Sequence, residues 1–142
     1  MKAPLNRRVF VVGYGAATPL GKTFDITWQR AVNGEAGFRR LTRFSMDSGF
    51  SIVGEIPDWD PSALDFIGPR EAYNWNAGYV FLTMAVCNEA LLRAGLPIDG
   101  DTGPRTACLI GSALNGTDAF RVAMDNYVNR GPLKVSPYLL PN

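Results

Sequence analysis

The sequence predicts an α/β layer architecture built on a largely parallel sheet, and three observations carry that prediction. Two apolar runs, Val9 to Val12 and Thr106 to Ile110, show no polar alternation, the pattern of a strand covered on both faces. Each run enters a glycine-containing turn, and each turn opens a helical pattern. Between them a long stretch from about Arg70 to Ala94 is apolar on nearly every side from Ala77 onward, as expected of a helix buried from several directions.

Taken in order, Val9 to Val12 forms the first strand. Thr23 is suited to cap a helix, with Asp25 in the first turn facing the positive end of the helix dipole. Ile26, Trp28, Ala31 and Val32 follow, and Asn33-Gly34 ends it. Ser51 to Ile56 is a candidate short strand closed by Pro57. Asp58 to Pro61 reads as a turn, Ser62 to Phe66 as a short helical piece, and Gly68-Pro69 as a break. The long helix stops at Ala94-Gly95-Leu96-Pro97, because glycine takes the left-handed position and proline forbids continuation. After the second strand comes the turn Gly111 to Gly116. A helix from Thr117 to Asn129 then places Phe120, Met124, Tyr127 and Val128 on related faces, and Gly131-Pro132 breaks it.

Composition narrows the function classes. The 142 residues suit one domain, and 46% hydrophobic with 19% charged residues is a globular balance. Fourteen Lys and Arg against thirteen Asp and Glu leave a net charge of +1, which gives no reason to expect nucleic acid. No signal peptide and no membrane-length apolar stretch is visible, so the expected compartment is the cytoplasm. The two cysteines, Cys87 and Cys108, lie inside apolar runs and read as reduced, inert core residues. There is no histidine. Only two convincing core strands accompany a helix that is apolar all round, so the chain reads as part of a larger fold.

The turn after the first strand admits two readings. Ala16 to Thr23 nearly fits the nucleotide loop G-x-x-x-x-G-K-S/T, with alanine at the first glycine. Backbone N–H groups would cradle phosphates, Lys22 would reach the terminal phosphates and Thr23 a magnesium ion. Pro19 counts against this, because it removes an N–H from the cradle. So does the second strand, which ends in Gly111-Ser112 with no aspartate for the metal side. The dinucleotide fingerprint is weaker, with Thr18 where the third glycine belongs.

The other reading comes from four stretches. Arg8 to Gly21, Thr27-Trp28-Gln29 through Asn33-Gly34 to Gly37, Glu89 to Leu96, and Ile110-Gly111-Ser112 followed by Gly131-Pro132 and Val135 to Tyr138 are similar, in order, to the N-terminal part of the β-ketoacyl-acyl-carrier-protein synthases, the type II condensing enzymes. The resemblance implies a thiolase-like α/β fold, with residues 1–142 forming the N-terminal part of a ketosynthase domain and its C-terminal remainder absent. It implies decarboxylative Claisen condensation of an acyl thioester with malonyl on acyl carrier protein. The family's nucleophilic cysteine and two histidines would lie beyond Asn142, so the chain alone is expected to be inactive. No metal or diffusible cofactor is implied, since the acyl groups arrive on the carrier's phosphopantetheine arm. The implied partners are acyl carrier protein and a second ketosynthase subunit, in a homodimer or heterodimer. Leu114 and Tyr138 match acyl-tunnel positions, Tyr138 reaching toward the partner subunit, while Gly13, Gly15, Pro19 and Gly21 match the structural turn. A non-catalytic partner or remnant is the alternative of another class. Two departures point to a divergent branch: Asn76-Ala77-Gly78 replaces the family's frequent Met-Asp-Arg, and Ala113 and Asn115 stand where glycine is usual.

Overall fold

The computed structural model describes residues 8–42, 49, 51–60, 62, 64–68, 70, 77–114 and 116–139. Within them the elements run α1 (Phe24–Val32), β1 (Arg39–Arg40), β2 (Ile52–Val53), α2 (Gly78–Ala94) and α3 (Thr117–Arg130), with single 3-10 turns at Gly103–Arg105 and Pro132–Lys134.

The helix ends follow local chemistry. Thr23 is extended ahead of α1, and its hydroxyl accepts from the Ile26 N–H at 3.4 Å. Asn33 closes α1 and Gly34 turns the chain away at φ +73°. Gly95 ends α2 in the left-handed region at φ +62°. Gly131, at φ +88°, ends α3 one residue beyond the expected Asn129, and Pro132 follows.

The start of α2 differs from the expected Arg70. Ala77 is extended, with φ −73° and ψ 128°, so α2 opens at Gly78, whose N–H donates to Asp118 Oδ2 at 2.8 Å. A carboxylate from the first turn of α3 thus caps α2, where sequence reasoning ran the helix straight through. Residues 71–76, including Trp75 and Asn76, lie outside the described residues, as do Pro61, Ala63 and Asn115. Of the short helical piece expected at Ser62 to Phe66, one turn is described, in which the Ile67 N–H donates to the Leu64 carbonyl at 3.1 Å.

Among the described residues the sheet is one antiparallel pair, with Arg39 opposite Val53 and Arg40 opposite Ile52. The Leu41 N–H extends it to the Ser51 carbonyl at 2.7 Å. The β2 strand falls inside the expected Ser51 to Ile56, whereas β1 carries no strand pattern and was not expected. Its position comes from tertiary contacts. Arg39 Nη2 donates to the Pro19 carbonyl at 2.8 Å, and a Cβ on Gly37 or Gly54 would come within 2.9 Å of the Pro19 ring. The hairpin sits on Pro19.

The parallel sheet expected from the sequence is not formed by the described residues. Val9 to Val12 and Thr106 to Ile110 carry no strand ladder, and both are open to solvent, Val9 92% and Leu109 89% exposed. A strand is buried on both faces only when layers lie on both sides of it. Here α2 approaches the turn that follows Val12, and no second layer covers the run. The same shortage corrects two further expectations. Phe81 is the buried residue of α2, while Leu91 and Leu92 are exposed, so the helix is covered on part of its circumference. Cys87 and Cys108 are exposed free thiols and not core residues.

Among the described residues the buried apolar ones are Ala77 just before α2, Phe81 in α2, and Ala123 in α3, which faces the segment 133–139. Phe120, Met124, Tyr127 and Val128 form an exposed stripe along α3. The chain exposes 11583 Å². A compact monomer of this size exposes about 7,200 Å². Each large apolar side chain left open forfeits roughly 1.5–3 kcal/mol of burial free energy. No helix among the described residues is long and apolar enough to cross a membrane.

The 142-residue chain alone is therefore expected to self-associate or to melt without a sharp transition, and to bind an apolar dye. Sedimentation velocity and dye fluorescence check this. A monodisperse monomer that melts cooperatively would show that the exposed runs find cover within the chain.

Candidate functional site

The first glycine turn is built against α2. A Cβ on Gly13 would sit 2.1 Å from the Ala90 carbonyl oxygen, and one on Gly15 would sit 2.4 Å from that of Val86. Val86 and Ala90 are one helical turn apart, so the two glycines let the backbone lie along consecutive turns of α2. No other residue has room there.

That approach brings Glu89 of α2 into the turn. Its Oε2 accepts from the Ala16 N–H at 3.0 Å, and the Phe24 N–H donates to both oxygens at 3.0 and 3.2 Å. Phe24 is the first residue of α1, so its N–H has no partner within the helix, and the positive end of the dipole favours a carboxylate there. Arg93, four residues further along α2, donates from Nη2 to Glu89 Oε1 at 3.2 Å and to Asp25 Oδ2 at 2.6 Å. Those two carboxylates, Asp25 foremost, hold the Arg93 guanidinium above its ordinary pKa. The guanidinium carbon lies 5.0 Å from the Tyr14 ring centroid, and Tyr14 packs on Phe24 at 4.4 Å.

The rest of the turn is closed by its own groups. Thr18 and Gly21 exchange N–H to carbonyl bonds at 2.8 and 3.0 Å, and the Leu20 N–H donates to Thr18 Oγ1 at 3.1 Å. Arg30 Nη1 donates to the Leu20 carbonyl at 2.7 Å. A Cβ on Gly21 would meet the Ile26 side chain at 2.4 Å, so α1 packs directly on its own lead-in.

This geometry decides against the nucleotide loop. A phosphate cradle needs converging N–H groups free to meet an anion. Here the Ala16 and Phe24 amides meet the Glu89 carboxylate, the Thr18, Leu20 and Gly21 amides close on the turn, and Pro19 has none. Lys22 instead lines a cavity of about 320 Å³ with Trp59, Asp60, Leu64, Phe66 and Leu92. Ser62 hydrogen bonds hold the Asp60 carboxyl below its usual range, with Lys22 adding a smaller pull. No group of three or more metal-binding side chains occurs among the described residues.

The two tunnel candidates are both exposed. Leu114 is 83% exposed at the tip of the second glycine turn. Tyr138, 37% exposed, lines a groove of about 460 Å³ between α3 and residues 133–139, with Val122, Ala123, Asn126 and Lys134. Leu114 is not among the residues that line that groove. The Glu89–Arg93–Asp25 cluster was missed by sequence reasoning. Its one legible signal was the Glu-to-Arg spacing of four on a helix.

Neither ATP nor GTP is expected to bind with magnesium. Calorimetry checks this, and micromolar binding abolished by Lys22→Ala would restore the nucleotide-loop reading.

Comparison with known proteins agrees with the four sequence stretches. The family description "Beta-ketoacyl synthase, N-terminal domain" matches residues 6–142. The chain is 29% identical over 137 residues to 3-oxoacyl-(acyl-carrier-protein) synthase 2 of Staphylococcus aureus (strain N315). It is 31% identical over 138 residues to the protein of the same name from Coxiella burnetii (strain RSA 493 / Nine Mile phase I). Each alignment covers 96% of this chain and 32% of the relative, so the chain spans about a third of the length of these relatives. With a match that runs from the residues before the first apolar run to the last residue given, the chain belongs to the β-ketoacyl synthase N-terminal domain family.

Proposed function

We propose that this chain is the N-terminal part of a 3-oxoacyl-acyl-carrier-protein synthase that joins an acyl group to malonyl in fatty acid or related polyketide or polyene synthesis. The observation that carries the reading is the family match over residues 6–142, which takes in both glycine turns and all three described helices. The relatives bear a synthase's name, which favours the catalytic reading over a non-catalytic partner.

The finer fold is then thiolase-like, with Val9 to Val12 and Thr106 to Ile110 as inner strands of a mainly parallel sheet. Their unbroken apolar character and their exposure in this chain both support that placement. The chemistry needs a thiolate to hold the acyl group, and donors to stabilise charge developing on the thioester and enolate oxygens. A chain without histidine offers no imidazole for the second task. Acyl groups would arrive on the phosphopantetheine arm of acyl carrier protein, without metal or diffusible cofactor. The working unit would be a dimer in the cytoplasm.

Leu114 and Tyr138 are the substrate-lining residues of this reading. Leu114 is an apolar side chain that packing in the described chain does not use. Tyr138 would face it from the neighbouring subunit.

The 142-residue chain, given acyl- and malonyl-carrier protein, should form no covalent acyl adduct and no 3-ketoacyl product. Intact-mass spectrometry and product analysis check both. A specific adduct on Cys87 or Cys108, with turnover, would overturn the assignment of catalysis to residues outside this chain.

In a synthase carrying this chain, Leu114→Phe should cut activity on long acyl chains more than on short ones. Each methylene buried in a tunnel contributes about 0.8 kcal/mol, so a blocked tunnel loses several-fold in preference per carbon. Leu114→Ala should do less harm or shift preference to longer chains. Competition assays over a range of acyl lengths read this out. Equal loss at all lengths for both variants would make Leu114 a packing residue.

A further inference from the structure

The Walker-like stretch Ala16 to Thr23 overlaps the structural turn of the condensing-enzyme reading and binds no nucleotide in it. Its first amide, Ala16, and the Phe24 amide just after it nonetheless meet one carboxylate. We propose that Glu89 is a built-in anion: from α2 it occupies the cradle formed by the first glycine turn and the start of α1, fixing their position and closing the cradle to phosphate-bearing ligands.

Three observations converge on this. The carboxylate receives amides from two separate places, Ala16 in the turn and Phe24 at the head of α1, so one side chain ties both to α2. Arg93 contacts Glu89 Oε1 and Asp25 at once, which holds the carboxylate's orientation and links it a second time to α1. And Gly15 is shaped for Glu89: a Cβ there would stand 3.1 Å from both Glu89 Cβ and Glu89 Oε2, besides its conflict with the Val86 carbonyl. A side chain at position 15 would displace the carboxylate from the Ala16 amide. The Glu89 side chain is 18% exposed, so water competes little for these donors.

The proposal does not depend on the condensing activity, because its readout is local amide exchange. Hydrogen–deuterium exchange is measured on a synthase carrying this chain, in peptides covering residues 13–18 and 22–27. In the parent chain, inorganic phosphate and acetate should leave both peptides unchanged. Glu89→Ala should raise exchange at the Ala16 and Phe24 amides about tenfold or more, the loss of a charge-assisted bond. Acetate should reverse this where sodium chloride of equal ionic strength does not. Glu89→Gln keeps the side chain's volume, so it should show the same local pattern at smaller size if Glu89→Ala is poorly folded. Gly15→Ala, which leaves Glu89 in place but moves it, should expose the Ala16 amide as well.

Unchanged exchange in Glu89→Ala and Glu89→Gln would overturn the proposal. So would acceleration throughout the chain that acetate does not reverse, since Glu89 would then be one packing residue among others. Protection of the Ala16 or Phe24 amide by phosphate in the parent chain would overturn the closure.

Discussion

A carboxylate on α2 fixes the placement of the N-terminal part of the described chain. Glu89 accepts from the Ala16 and Phe24 amides, and through Arg93 it is bonded to Asp25 as well. The contact is possible because Gly13 and Gly15 let the backbone reach the Val86 and Ala90 carbonyls without side chains between. Charge and close approach depend on each other: the glycines bring the turn near enough for a side chain of this length, and the carboxylate satisfies amides that the close approach shuts off from water. Beyond it, Pro19 carries the β1–β2 hairpin through its carbonyl and its ring. The hairpin's place is thus set through the turn.

The same arrangement explains what is not covered. The turn after Val12 is held tightly to α2, while the apolar run leading into it is open. A run of Val, Phe, Val and Val has no reason to stay in water, and a fixed turn at one end sets the direction in which it leaves α2. The second run, Thr106 to Ile110, is open in the same way, and the Phe120 to Val128 stripe of α3 adds a third uncovered surface. The relatives that the chain matches are about three times its length, and in the proposed synthase further layers would pack on such surfaces.

What was legible in the sequence divides along the range of the interactions. The Thr23 cap, the Gly95 stop and the Gly131-Pro132 break were readable because each is decided within four residues. The start of α2 was not, because the cap at Gly78 comes from Asp118, forty residues away. The β1 strand was not, because two consecutive arginines become a strand through Pro19 and β2. Exposure of the presumed core was missed for another reason: an apolar pattern reports the environment a segment is suited to, and the described residues supply one side of it. In the site, the glycines of the first turn were legible, while the Glu89 cluster joins positions 16, 24, 25, 89 and 93 across three segments and carries no local motif.

The two glycine turns, so alike in sequence, end up in opposite states. Both follow an apolar run and both open a helix, the setting in which α/β proteins place ligands beyond the carboxyl ends of their strands. The first is filled: Glu89 sits among its amides, Thr18 and Gly21 close on each other, and Arg30 takes the Leu20 carbonyl. At the second, a Cβ on Gly111 would meet nothing within 4 Å, and Leu114 projects into solvent. The amides of Ala16, Thr18, Leu20 and Gly21 are thus engaged within the chain. In the proposed synthase the open second turn is the one that would meet substrate, and the Ala113 and Asn115 departures from the usual glycines fall in that stretch of the sequence. The other departure read from the sequence, Asn76-Ala77-Gly78, falls where α2 opens at Gly78, while the first turn, on which the placement of α1 and the hairpin depends, keeps the glycines that let it lie against α2.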